Sequence, residues 1–146
     1  MGPTGSRTDP FLAFRFEVHI DGLGSAAFSD CSGLNHEIET QEYIEGGLND
    51  RVWRFPTRGR QANLVLKRGI VDRELWDWFM TVNAGVVIRH SGAVVVKDPA
   101  GANDVIKIEF RDAFPVKWNG PELSAAGSNV AMETLELAHH GLERKL

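Results

Sequence analysis

Glu45-Gly46-Gly47-Leu48-Asn49-Asp50, followed by Leu64-Val65-Leu66-Lys67-Arg68-Gly69 and then Leu75-Trp76-Asp77-Trp78, says most about how this chain is built. A glycine pair has no Cβ to restrain it and interrupts a strand-like region at Gly46-Gly47. In the second run Leu64 and Leu66 alternate with Val65 and Lys67, the period of a strand, and a basic pair with Gly69 ends it. Asp72 is a suitable N-cap, Arg73 to Asn83 reads as a helix, and Gly85 closes it. No reacting group sits in this stretch. It is architecture.

Strand signals continue on both sides. Phe14, Phe16, Val18 and Ile20 alternate with Arg15, Glu17 and His19, and Asp21-Gly22-Leu23-Gly24 turns the chain so that Ala26 to Cys31 pairs back. His36 to Ile44 places Ile38, Thr40, Glu42 and Ile44 on one side and Glu37, Glu39, Gln41 and Tyr43 on the other. Neither side is a good core face, so this strand lies over water on at least one of them. Arg51 to Phe55 reads as a short strand stopped by Pro56, and Gln61 to Arg68 as the next. Beyond the helix, strands are expected at Val86 to Lys97, Asp104 to Arg111, Phe114 to Asn119 and Val130 to His139, with a turn at Asp98-Pro99-Ala100-Gly101. Eight or nine short strands with one flanking helix predict an all-β sandwich or barrel.

Length agrees. The 146 residues suit one domain, expected over 9–146 behind a flexible arm at 1–8. A hydrophobic content of 42% with 25% charged residues is enough for a core without staples. The single cysteine, Cys31, rules out an internal disulfide and reads as a small buried hydrophobe. A net charge of −4 argues against nucleic acid as the main partner. No apolar run approaches the ~20 residues of a membrane helix, and Met1-Gly2-Pro3-Thr4-Gly5-Ser6 lacks the apolar centre of a signal peptide. Gly2 and Ser6 fit a loose myristoylation pattern, against which Pro3 argues.

Charge is segregated along the chain. Residues 37–50 hold five acids (Glu37, Glu39, Glu42, Glu45, Asp50) and no base, whereas 51–73 hold seven bases against Asp72 alone. Neighbouring strands can pair these charges within one chain. Opposed patches can also fix register between identical copies. The helix poses a similar choice. Leu75, Trp76, Trp78, Phe79, Met80 and Val82 cover roughly 200° of its circumference, wider than the usual apolar stripe. Either its own domain covers that arc or a neighbouring subunit covers part of it. The polar remainder is Arg73, Glu74, Asp77 and Thr81.

Candidate chemistry is thin. Gly22-Leu23-Gly24-Ser25-Ala26-Ala27 matches the dinucleotide-binding spacing, but that motif needs a helix opening inside it and Ser32-Gly33 ends the segment too soon. His19, His36, His90, His139 and His140 show no metal-ligand spacing, and adjacent His139 and His140 at a strand end point to opposite faces. No nucleophile elbow occurs. Trp53 and Trp118 read as core or interface anchors. No catalytic residue, cofactor or metal site is expected.

The ordered set also resembles the inner-tube proteins of contractile injection machines, the phage tail-tube family and its bacterial relatives. Besides the opening stretch, it includes Phe28-Ser29-Asp30-Cys31-Ser32-Gly33-Leu34, Ala113-Phe114-Pro115-Val116-Lys117-Trp118-Asn119-Gly120-Pro121 and Val130 through Gly141. The resemblance covers roughly residues 9 to 142. It implies a small β-sandwich or barrel with one helix, assembling as hexameric rings that stack head-to-tail around a lumen able to carry cargo. It implies partners too: a contractile sheath protein, a baseplate or tube initiator, and a terminal cap. On it, Glu45, Gly46, Gly47, Asp50, Arg51 and Arg54 would make the inter-ring contact. Glu37, Glu39 and Gln41 would face the lumen, and Arg73, Asp77 and Thr81 the sheath. Assembly would take place in the cytoplasm of a bacterial or archaeal cell, giving a virion tail or a released particle. The alternatives are a tube initiator or baseplate adaptor of the same machine, and a small-ligand-binding β-barrel.

Overall fold

Leucines and valines at period two make most of the core, because each strand turns one set of side chains inward. The computed structural model describes residues 15–26, 28–44, 52–70, 72–127 and 130–146. In chain order the elements are β1 (Arg15–Ile20), β2 (Gly24–Ala26), β3 (Asp30–Ser32), β4 (His36–Ile44), β5 (Val52–Gln61), β6 (Leu64–Gly69), α1 (Glu74–Asn83), β7 (His90–Lys97), β8 (Asp104–Asn119), β9 (Met132–Ala138) and β10 (Leu142–Arg144). The main sheet runs β2-β1-β7-β8-β9-β6-β3, with β10 also on β8, and all its pairings are antiparallel. Its two end strands, β2 and β3, are consecutive in the chain, so the sheet must curl to bring its two ends towards each other. Val18, Ile20, Leu64, Leu66, Val94, Phe110, Leu135 and Leu137 fill the interior, and Leu75 and Trp78 of α1 join that cluster.

β8 joins the two halves of the roll. Its first part pairs with β7 and β10, and Phe114 to Asn119 pair with β9. The segments 104–111 and 114–119, expected to be separate, are one strand of 16 residues bent in the middle. Asp112 takes a left-handed φ of 51° at the bend. Its amide donates to Ser91 Oγ at 3.2 Å and its carbonyl accepts from Arg89 at 3.3 Å. Those bonds hold the kink without ending the strand.

Other boundaries shift for equally local reasons. β5 runs through Pro56 to Gln61, which had been assigned to the next strand. Pro56 faces Thr40 beside a register slip in a two-stranded ribbon, where a missing amide donor is tolerated. Val86 to Ile88 lie outside β7. Val86 N donates to Thr81 O and Ile88 O accepts from Trp78 Nε1, so the helix holds this segment. Ala26 to Cys31 splits, with β2 on β1 and β3 crossing to β6. Val130, Ala131 and His139 fall outside β9. The helix starts at Glu74, and Asp72 Oδ1 accepts from the Glu74 amide at 3.0 Å. Asp72 thus does the capping one position earlier than a standard N-cap. Phe14 and the arm expected at 1–8 lie outside the described residues.

The wide apolar arc of α1 is covered mostly from within. Leu75 and Trp78 are buried, Trp76, Phe79 and Val82 are half-buried, and Met80 alone is exposed. Trp76 meets Trp118 of β8 edge-on at 4.6 Å between centroids.

Candidate functional site

β4 and β5 form a separate two-stranded sheet that, among the described residues, packs mainly on itself. Nearly every residue of both strands is exposed. Ribbons of two strands are marginal alone in water. This one nevertheless carries Ile38, Tyr43, Ile44, Val52, Trp53 and Phe55 outward, with Ile44 at 68% and Trp53 at 49% exposure. The ribbon has two different faces, read from its register. One presents Tyr43, Trp53 and Phe55, with Tyr43 and Phe55 edge-to-face at 6.5 Å. The other presents Ile44 and Val52 beyond the Glu42–Arg54 pair.

Its root is fixed. Gly33 has φ +88°, and a Cβ there would lie 1.9 Å from Asn63 O, so the two legs cross where only glycine fits. His139 Nε2 lies 2.9 Å from Ala62 O beside the same root.

Acidic and basic strands meet within one chain here. Glu39 accepts from Arg58 Nε at 2.7 Å and sits 3.2 Å from Arg60 Nε, and Glu42 lies 3.6 Å from Arg54. The hydrogen bond from Arg58 is the main reason the Glu39 carboxyl is held below its ordinary value, with the charges of Arg58 and Arg60 adding to it against some desolvation. These pairs are exposed, so each contributes little alone. They fix the register of a ribbon that has no core to fix it.

The residues expected to act in assembly are distributed as follows. Glu37, Glu39 and Gln41 share the Tyr43 face of β4. Arg54 is on β5, whereas Glu45, Gly46, Gly47, Asp50 and Arg51 lie outside the described residues. Arg73, just before α1, and Asp77 and Thr81 on it form one strip, with Arg73 3.6 Å from Asp77 and Thr81 Oγ1 donating to Asp77 O at 2.8 Å.

The buried network could not be read from the chain order. Arg68 and Glu133 are cross-strand partners and both are buried. Arg68 Nε donates to Glu133 Oε1 at 2.8 Å and its NH2 to Asp72 Oδ1 at 3.0 Å, while Trp118 Nε1 donates to Glu133 Oε2 at 3.1 Å. The guanidinium also lies 5.5 Å from the Phe28 ring centroid. One ion pair thereby ties β6, β9, β8 and the helix start. The only sequence signal was Arg68 at an inward position of its strand.

Among the described residues no group of His, Cys, Asp and Glu is arranged to hold a metal. Gly22 has φ +86° in a turn and Gly24–Ala26 is a strand, so the dinucleotide-like spacing opens no helix. Cys31 lines an apolar cavity of about 240 Å³ with Phe16, Leu34, Val94 and Ile106. Burial pushes its thiol up from 9.0 to about 11. Two units mean about 100-fold less thiolate at any pH below 9, and the thiolate is the nucleophile. Iodoacetamide at pH 8 should therefore modify native Cys31 at least tenfold more slowly than the urea-unfolded chain, and equal rates would contradict this. The raised value also means that the stability from burying the neutral thiol is full below pH 9 and disappears as pH rises through about 11.

Comparison with known proteins accords with this geometry. Residues 12–143 match the family described as T4-like virus tail tube protein gp19. Comparison with curated proteins finds no match. Among solved structures, the sheath-tube complex of the extracellular contractile injection system PVC, in its extended state, contains a chain of 22% identity. The TM-score is 0.84, with 94% of this chain and 93% of that one covered. A chain in the anti-feeding prophage baseplate is 25% identical with TM-score 0.78, covering 96% and 100%. One in the tube-terminating cap of that particle is 21% identical with TM-score 0.81, covering 99% of each. The family match takes in both halves of the roll, the helix and the ribbon rather than one shared motif, and the chain belongs to the T4-like virus tail tube protein gp19 family as a structural tube subunit.

Proposed function

We propose that copies of this chain close into hexameric rings and that the rings stack head-to-tail into a hollow tube. The observation that carries this is the β4–β5 ribbon, exposed on both faces and studded with aromatic side chains. Such a ribbon persists only when another surface covers it. Ring closure has its own support. The outer edges of β2, β3, β10 and the 114–119 part of β8 have no further strand partner among the described residues. Open edges invite pairing with another chain, and a closed ring removes them. The tube subunit is a structural part without enzymatic activity. Its partners are a contractile sheath, a baseplate or initiator and a terminal cap, the kinds of particle in which the structurally similar chains occur. Cargo travels in the lumen.

Within this arrangement the root of the Tyr43 face, with Glu37, Glu39 and Gln41, faces the lumen while the aromatic residues towards its tip are covered by another copy, and the Arg73–Asp77–Thr81 strip faces the sheath. Glu45, Gly46, Gly47, Asp50, Arg51 and Arg54 belong to the contact between rings. Gly47→Val, or Arg51→Glu with Arg54→Glu, should leave soluble folded protein that forms no tubes. Negative-stain imaging of the purified protein tests the reading directly. Six-fold rings and stacked tubes are expected, and a protein that stays monomeric at high concentration would refute it.

A further inference from the structure

The apolar cavity of about 240 Å³ that holds Cys31 opens beside the root of the β4–β5 ribbon. Phe16 of β1, Val94 and Val96 of β7 and Ile106 of β8 form one wall. Cys31 of β3 and Leu34, next to the Gly33 crossing, form the other. Val94 is buried at its floor, and the other five are only half-buried. Apart from the thiol these side chains offer no hydrogen-bonding group, so a polar or charged occupant would lose its water without compensation. An apolar cavity of about 150 Å³ already admits benzene, so this one has room for a phenyl ring and part of a second side chain.

The chain enters β1 at this opening. Phe16 pairs with Val96, and Arg15 with Lys97, the last residue of β7. Arg15 lies against the turn that follows, where a Cβ added to Gly101 would stand 3.4 Å from its Nη1. The five residues before Arg15, outside the described part, are Pro10-Phe11-Leu12-Ala13-Phe14, an uncharged run. Phe14 continues the period-two set Phe16, Val18 and Ile20, all of which pack on the core side. Two residues along a strand advance about 7 Å, the distance from Phe16 to the open side of the cavity rather than its floor.

We propose that this cavity is the seat of the chain's own residues 11–14, with the Phe14 ring as the plug. One residue separates Phe14 from Phe16, which already lines the cavity, so the plug is tethered at high effective concentration and needs no second body to be ordered. A segment of another copy would have to compete with that tether. The inference concerns the single chain and stands apart from the tube reading.

Cys31 reports the occupant, because the seated rings stand between its thiol and water. Phe11→Ser with Phe14→Ser should speed N-ethylmaleimide labelling of folded protein by roughly tenfold or more, and Phe11→Leu with Phe14→Leu should stay within about twofold of the parent, since labelling follows access to the thiolate. Leu135→Ala loosens the core away from the cavity and controls for global unfolding. Unchanged labelling in the serine pair, or equal acceleration by Leu135→Ala at the same loss of Tm, would overturn the seat. If the serine pair does not fold, p-azidophenylalanine in place of Phe14 decides. Illumination should attach it to Leu34, Val96 or Ile106 of the same chain, in a band the size of one chain. Attachment to a second chain, or to none of the cavity residues, would overturn the proposal.

Discussion

Changing Tyr43, Trp53 and Phe55 together to serine should leave a folded protein that no longer grows tubes. The three rings lie on one face of a ribbon that contributes nothing to the interior, so removing them opens no cavity. Thermal unfolding of the body should therefore stay close to that of the parent. Association should suffer much more. Aromatic anchors at interfaces commonly contribute about 2 kcal/mol or more, and about 2 kcal/mol corresponds to roughly 30-fold in affinity. Loss of two or three anchors should move assembly beyond any practical protein concentration. Sedimentation velocity beside electron microscopy reads both quantities. If the variant makes tubes at the parent's threshold concentration, the ribbon is not the interface.

Glu133→Ala should cost about 3–5 kcal/mol, since it strands the Arg68 guanidinium in the interior and leaves Trp118 Nε1 without its acceptor. Domains of this kind are stable by about 5–15 kcal/mol, so the loss is a large share of the total. A fall in Tm of roughly 10 °C is expected. The double change Arg68→Met with Glu133→Leu should recover most of it, because an apolar pair of similar volume avoids desolvating two charges. Urea denaturation of the parent and the two variants reads the difference. A single variant within about 1 kcal/mol of the parent would mean that water reaches the pair and that its burial is unimportant.

The two sets of substitutions separate a surface that serves assembly from an interior that serves folding. They also show where sequence reading succeeds and where it stops. The alternation of Leu64 and Leu66, and of Val18 and Ile20, was legible because one face of each strand is buried and the period is local. The helix was legible through its cap and its aromatic arc, though its start moved because Asp72 caps from one residue earlier. Pro56 misled, since a proline stops a central strand and not a free ribbon. Val86 to Ile88 misled for the opposite reason. Their β-branched side chains read as strand, but the Trp78 indole and Thr81 carbonyl hold the segment to the helix.

The segregation of acids and bases was visible in the chain and left two uses open. Register shows pairing inside one ribbon for Glu39 and Glu42, while their exposure keeps that ribbon available to another copy. Trp53 was recognised as an anchor, but whether it sat in the core or at an interface depends on what else packs there. Arg68 and Glu133 lie 65 positions apart, and no local pattern couples them.

By itself the sequence determined the class of fold, the lone helix, the lack of any local catalytic motif, and the resemblance to tube proteins. The first three follow from periodicity, punctuation or composition, which act over a few residues, whereas the resemblance lies in the order of whole segments. Only the tertiary structure decided which strands roll together, that one ribbon stands apart with both faces uncovered, and which apolar cavity opens beside its root. Those depend on contacts between distant segments, whose free energy is set by burial in three dimensions and leaves no mark at short range in the chain.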